Sequence, residues 1–600
     1  MFRGCFAFPP EIGRGPGAPD QGVCDLKKLL RMFHFVSPYK WRLFFFIFTA
    51  LGFSIFASLP LFIAREFLRL VFEKGGESEF YTAVGLLLAC WVMRAYFIVR
   101  REVAAQYLAN VAVRDGTNRV MAHLVNRPLA FFDRWRSGEL ISRIGTDAQA
   151  LAMTVRFFTI FVREPLTVVG VVAVIFYLNW KLALLGLIGF PLAAAPIALI
   201  SRVVRRSSHR GRESAADRSD AMVQVFGATR VVKGFGREEK ESDGFAATNS
   251  KIFYHNMKVA RASAALRGIV ETVNGIGGVA VVFVGGLMVL RGVFTPQDFF
   301  TFLFALVSLH QPTRSLGDAN AQINNCLPGA ERLFELLDVK DSLPVPPDAA
   351  PAGPPRDAIR FRGVRFSYGR EEILGGVDLE MGAGKVTAIV GPSGSGKSTL
   401  VNLAARFYDP ASGSVEVDGV DLKNIRPESW LDQLGLVTQD PILFNTSIGD
   451  NIRYGRLDAT DADVEEAARL ANIHEDILKL PEGYDTPAGE RGMQLSGGQR
   501  QRICLARALV REPAVLLLDE ATSSLDSASE RLVQEAIASA QKGRTSIVVA
   551  HRLSTVMDAD RIYVLVGGRV EAAGRHDELL DTSATYKHLW EIQQGTVRAN

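Results

Sequence analysis

Val386-Thr387-Ala388-Ile389-Val390-Gly391-Pro392-Ser393-Gly394-Ser395-Gly396-Lys397-Ser398-Thr399 is the stretch on which the fold of the C-terminal part turns. Its first five residues are apolar or β-branched and read as a short buried strand. A glycine-rich loop follows and runs into Lys397 and a helical pattern beyond it. Strand, loop and helix in that order are the context a P-loop requires. Gly391, Gly394 and Gly396, with Ser393 and Ser395 among them, let backbone N–H groups close on phosphate oxygens, and the helix N-terminus adds a favourable dipole. Lys397 is placed to reach the β- and γ-phosphates, and Ser398, followed by Thr399, offers its hydroxyl to Mg²⁺. A nucleoside triphosphate, ATP or GTP, is the expected ligand.

Two downstream stretches complete this chemistry. Ala514 to Leu518 reads as a second buried strand, expected next to the P-loop strand and ending in Asp519-Glu520. Asp519 suits Mg²⁺, and Glu520 suits a general base that polarises the attacking water. Leu495-Ser496-Gly497-Gly498-Gln499 precedes a helix from Arg500 to Val510, so small residues again open a helix and make a second phosphate-accepting N-terminus. A single bound nucleotide has one γ-phosphate and does not need both sites. The economical arrangement is that the second closes on nucleotide held by another copy of the chain.

The rest of the chain has a different character. Hydrophobic residues make up 48% and charged residues 22% of 600, and the apolar ones concentrate in the first half. Six stretches approach the ~20 residues needed to span a bilayer. They are residues 43–64, 81–99, 157–180, 182–201, 272–290 and 297–322. Basic clusters flank alternate ends: Lys27, Lys28, Arg31, Lys40 and Arg42 before the first span, Arg100 and Arg101 after the second, Arg202, Arg205, Arg206 and Arg210 after the fourth. By the positive-inside rule both ends of this domain face the cytosol, and the cytosolic connections (about 101–150 and 203–265) read as long helices. The expected division is a disordered tail over 1–24, a membrane domain over 25–338 and a linker over 339–357 containing the Pro-rich stretch Val345 to Pro355. An ATPase domain follows over 358–600. Residues 25–40 read as an amphipathic helix lying on the membrane surface. The net charge of +4 is small for this length and points to no nucleic-acid partner.

The order P-loop, Leu495 to Gln499, Asp519-Glu520, behind an apolar helical half, resembles the ABC transporter family over nearly the whole chain from residue 25. The resemblance implies a polytopic α-helical membrane domain with six helices and long cytosolic extensions, followed by an α/β P-loop nucleotide-binding domain. That is the arrangement of an exporter-type half-transporter, an ATPase coupled to the transmembrane movement of substances. It assigns further residues. Tyr368 in Phe366-Ser-Tyr-Gly matches the aromatic that stacks on adenine, and Gln439 the glutamine that approaches Mg²⁺ and reports to the membrane domain. Gly489-Glu490-Arg491-Gly492 matches the segment that touches intracellular helices. Asp526 in Ser524-Leu525-Asp526 lies in the dimer-contact loop, and His551 matches the histidine that contacts the γ-phosphate. Since no part of the set is missing, the resemblance implies a homodimer in the inner (plasma) membrane with two competent ATP sites.

The cargo is read from three intramembrane arginines. At 1.5 Å per residue Arg94 lies about 20 Å, and Arg163 and Arg314 about 25 Å, in from the outer ends of their spans. Arg in a bilayer usually faces a cavity or a partner. A basic ring gripping an anionic lipid headgroup is one reading, and these positions resemble those at which MsbA-type lipid flippases contact the phosphorylated sugars of lipid A. Snorkelling to the cytosolic interface, or pairing of Arg163 with Glu164 or Glu271, is the other. A multidrug exporter with a Phe-lined cavity and, from another class, an ATP-gated channel or regulator are the alternatives to lipid movement.

Overall fold

A computed structural model describes residues 31, 35–73, 76–135, 137–187, 189–340, 342–369, 371–519, 527–550 and 556–594. Glu520, Asp526 and His551 lie outside them, as does most of the expected surface helix over 25–40. The chain forms two compact units. The first holds the described residues up to Leu124 together with Gly138–Asp338, and the second holds Val125–Ser137 and the described residues from Val339 onward. The division is therefore not a single cut near residue 339.

The helices of the N-terminal half are α1 (Lys40–Phe72), α2 (Glu77–Val125), α3 (Leu129–Arg134) and α4 (Ser137–Ser142), then α5 (Ala148–Leu187) and α6 (Gly189–Gly227). After them come α7 (Thr229–Gly234), α8 (Glu238–Leu290), α9 (Pro296–Ser308) and α10 (His310–Asp338). Among the described residues four helical stretches are long and apolar enough to cross a membrane: Ser37–Phe72, Glu77–Val125, Ser137–Leu185 and Glu238–Leu290. The chain leaves helical geometry at Asn179, near the end of the third apolar segment, with φ −163° and ψ 103°. There the Asn179 side-chain oxygen accepts from the backbone N–H groups of Lys181 and Leu182, each at 3.1 Å, and so caps the helix that follows. The sixth segment, expected as one helix, is split between α9 and α10. Pro312 has no N–H to give to the Ser308 carbonyl, so the ladder breaks at that point. α9 itself is well started, with Pro296 in its first turn and the Thr295 side chain accepting from the Asp298 N–H.

Within this unit α6 packs along α8 and α10 along α5. Leu61, Val171, Val174, Ile175, Leu182, Val281 and Phe302 form one buried apolar cluster between α1, α5, α8 and α9. Between α4 and α5 the chain makes a π-helical turn, Arg143–Asp147. That turn is fastened to α10: Asp147, 8% exposed, accepts from Arg332 at 2.6 and 2.8 Å, and Arg143 donates to Glu335 at 2.9 Å.

The second unit is built on two sheets. One is antiparallel in the order β2 (Glu371–Gly382), β1 (Ala358–Tyr368), β4 (Ser412–Val417), β5 (Val420–Asp421). The other runs β10 (Arg569–Gly574), β9 (Arg561–Val566), β3 (Val386–Val390), β8 (Thr545–Val549), β7 (Val515–Asp519), β6 (Leu434–Val437). It is parallel except for β10, and its strands from β3 to β8 are nearly continuous apolar runs, as a sheet covered on both faces demands. The strand carrying Asp519 is not next to the P-loop strand, as expected from sequence; β8 lies between them. The linker is laid down on this unit: Arg406, 4% exposed, donates to the Pro344 carbonyl at 3.0 Å, and Arg426 to that of Ala349 at 2.9 Å.

Val125–Ser137 belongs here because its side chains do. Phe131 on α3 is fully buried and stacks on Trp135 at 5.8 Å. Ala130 packs on the core of the antiparallel sheet, and the Tyr408 hydroxyl donates to the Asp133 carboxylate. Burial, and then that carboxylate, push the Tyr408 phenol well above its ordinary range.

Candidate nucleotide site and the membrane arginines

β3 delivers the loop Gly391–Gly396 to the start of a helix, Lys397–Ala404. Gly391 has φ +154°, and a Cβ there would stand 2.1 Å from the Leu565 carbonyl oxygen, so no other residue fits between β3 and β9. Lys397 is 5% exposed, and its Nζ donates to the Gly391 and Pro392 carbonyls at 3.0 and 2.9 Å, which curls the loop around the ammonium. Ser395 Oγ is buried with no hydrogen-bond partner among the described residues. Ser398 Oγ donates to Asp519 Oδ1 at 3.0 Å, so the loop and the β7 tip meet although β8 separates their strands. Thr399 is buried behind them. An orphaned hydroxyl, a cradle with no room for a Cβ and a hydroxyl–carboxylate pair of hard oxygen ligands fit a phosphate chain with its Mg²⁺.

Tyr368 ends β1, 39% exposed, with its hydroxyl accepting from Asn402 Nδ2 at 3.3 Å and its ring edge-on to Phe366 and Tyr408. An open aromatic face beside the helix that follows the P-loop can take a base. Asn402 was not singled out in the sequence, since nothing local marks it. Gln439 is exposed just past β6.

Ser496 caps the helix Gly497–Leu509 in a capping box, its Oγ accepting from the Gln499 N–H at 3.2 Å and Gln499 Oε1 from the Ser496 N–H at 2.9 Å. A Cβ on Gly498 would lie 2.8 Å from that of Ser529, which keeps the position at glycine. The buried Arg502 ties this turn down, donating to the carbonyls of Gly498 and Asn472 and to Asp476 at 2.7 Å. Sequence reading missed Arg502 too, because an arginine in a basic helix gives no sign that it is buried. None of Ser496, Gly497, Gly498 and Gln499 bonds to any of residues 391–399 among the described residues.

In the first unit Arg94 and Arg163 are brought into one neighbourhood and Arg314 is not. Arg94 lies over the rings of Trp91 and Phe53, at 5.0 and 5.5 Å. Arg163 is ion-paired with Glu164, which is 4% exposed, and not with Glu271. Arg314 is 59% exposed on α10, its one charged partner among the described residues being Asp318 at 3.9 Å. A further arginine, Arg101, completes the group: it interacts electrostatically with both Arg94 and Arg163.

Residues 43–312 match the family model of the ABC transporter transmembrane region, and residues 374–523 match that of the ABC transporter. The chain is 35% identical over 564 residues (94% of its length, 99% of the relative's) to the ATP-dependent lipid A-core flippase of Desulfotalea psychrophila. It is 34% identical over 581 residues, with the same coverage, to a putative multidrug export ATP-binding/permease protein of Bacillus subtilis. A solved structure of a bacterial Atm1-family ABC exporter with ATP bound superposes with a TM-score of 0.79 at 29% identity, covering 94% of this chain and 99% of that one. The chain belongs to the ABC transporter family, as a multi-pass membrane protein of the exporter type whose transmembrane region precedes an ATPase that couples ATP hydrolysis to transport.

Proposed function

We propose that the protein is a homodimeric flippase of the inner (plasma) membrane that moves an anionic lipid, lipid A or one of its class, from the inner leaflet. The observation that carries the cargo reading is the gathering of arginines on α2 and α5 with, among the described residues, only Glu164 as a buried acid beside them. Lipid A-core flippases among its relatives support the same reading.

Each ATP is sandwiched between the Lys397 loop of one subunit and the Ser496 turn of the other. That no hydrogen bond joins these two groups among the described residues of one chain supports this arrangement. Tyr368 takes the adenine, the loop N–H groups and Lys397 hold the phosphates, and Ser398, Asp519 and Gln439 are the residues for Mg²⁺, which when bound neutralises charge on the phosphate oxygens. Glu520, next in the chain after Asp519, orients the attacking water, while His551 contacts the γ-phosphate and Asp526 the dimer seam. Closing on two ATP molecules turns the cavity outward, and hydrolysis resets it.

The test is ATPase activity of the reconstituted protein against added lipid A in a zwitterionic bilayer. Activity rises with lipid A, and Arg163→Glu abolishes the rise. An Arg163→Glu protein that responds like the wild type puts multidrug export ahead, the putative activity in the name of the Bacillus subtilis relative.

A further inference from the structure

Arg100 and Arg101 are neighbours at the cytosolic end of the second apolar segment, and helical geometry turns them about 100° apart. Arg100 is exposed, its guanidinium over the Phe45 ring at 5.1 Å. Arg101 faces inward and is 6% exposed. A topology determinant needs charge on the cytosolic side and no burial, so the positive-inside rule accounts for Arg100 and not for Arg101.

A buried guanidinium is ordinarily given a carboxylate or carbonyl oxygens. Arg101 has neither among the described residues: its Nη1 is buried without an acceptor, and what it touches is the Phe53 ring, 4.3 Å from Cζ to the centroid. Its surroundings add to the deficit. Arg94 and Arg163 are both near it, and each has a buried Nε without an acceptor. Of the two acids within electrostatic reach, Glu164 is taken by Arg163, and Glu102 is exposed and 3.6 Å from Arg156. Three guanidinium groups thus share one buried carboxylate. What is missing is an anion with several acceptor oxygens.

Seven residues of helix set Arg94 and Arg101 about 10 Å apart on one face. The Phe53 ring is in reach of both, 5.5 Å from one and 4.3 Å from the other, so it bridges the two levels. We infer that Arg101, with Arg163, anchors a phosphate-class anion position on the cytosolic side of Phe53, below the level of Arg94. This rests on the anionic-lipid reading above and adds to it a residue and a second level of contact. The same chemistry takes the headgroup of an acidic lipid or free inorganic phosphate.

The experiment is binding to the full-length protein in zwitterionic nanodiscs, followed by native mass spectrometry, with two probes: phosphatidic acid doped into the bilayer and inorganic phosphate in the buffer. Phosphatidic acid saturates the wild type, and Arg101→Gln raises the half-saturating amount about tenfold, the scale of one charge-assisted contact. Arg101→Lys recovers part of this, and Arg100→Gln recovers the wild-type curve. Melting temperatures are read alongside, and Arg101→Met keeps the apolar stem. A Met variant as stable as the wild type that still loses the lipid supports the site. Arg101→Gln binding that matches the wild type overturns it, whatever happens to stability. Lipid binding that depends on Arg94 and Arg163 but not Arg101 overturns this proposal and leaves the lipid reading standing. Arg101-dependent binding of inorganic phosphate without any of phosphatidic acid keeps the anion position and sinks the lipid reading. No binding of either probe to the wild type ends the proposal.

Discussion

Asp418 sits in the turn between β4 and β5 with φ 49°, and its carboxylate accepts from the backbone N–H groups of Arg356, Asp357 and Ala358 at 2.9, 2.8 and 3.2 Å. Burial alone would raise its pKa, but the three donors outweigh that and hold it below the ordinary carboxylate value. A lowered native pKa means that the unfolded chain binds the proton more readily. The stabilisation is complete above the unfolded value of about 3.9 and is lost as pH falls through the native one. Asp418→Asn is therefore expected to lower Tm at pH 7, with the gap from wild type closing below about pH 4; a gap that stays constant across that range would remove the assignment. At this scale the nucleotide loop was legible because its chemistry is contiguous. Gly391 to Thr399 carry their meaning in their order, whereas the hydrogen bond from Ser398 to the distant Asp519 is seen only in the structure. Arg100 and Arg101 show the opposite case: identical residues side by side, one exposed and one buried, a difference set by the distant Phe53 and Arg163.

Among the elements, the π-helical turn Arg143–Asp147 is fastened to the C-terminal part of α10, within the first unit, by two ion pairs. A π-helical turn is an irregularity often found at working positions. Removing Arg332 leaves the buried Asp147 without its bidentate partner, while Arg332 itself is half exposed, so Arg332→Ala is expected to cost about 1–3 kcal/mol. Adding Asp147→Asn returns part of that loss. A thermal-unfolding double-mutant cycle measures it, and strict additivity would show that the pair is not coupled. Sequence reading takes the apolar segments from their length and the strands from their composition, yet two features came only from the structure. Pro312 divides the last segment by withholding one N–H, and β8 enters between β3 and β7 because strand order in a parallel sheet is chosen by long-range packing. Neither is written in the periodicity of the segment concerned.

For the whole molecule, the proposal that nucleotide sites are shared between two copies makes a prediction about mixed dimers. Place Lys397→Ala and Ser496→Arg in the same subunit, opposite a wild-type one, and both composite sites are damaged. Place one change in each subunit, and one site keeps an intact loop and an intact capping turn. ATP turnover by purified mixed dimers should then be higher for the split arrangement; the reverse order is what sites complete within one chain would give. The architecture was readable in outline because an apolar half and a polar half differ in composition along the chain. The thirteen residues Val125–Ser137, which join the second unit from within the first half, were not, since their contacts run from Ala130 and Asp133 to residues far along the chain. That membership has a practical side. Anyone who trims this polypeptide by starting at residue 339 discards a borrowed wedge: Ala130 leaves apolar surface wet, and Tyr408 loses its acceptor. The severed fragment would be sticky for want of a splinter that the sequence stores two hundred residues upstream.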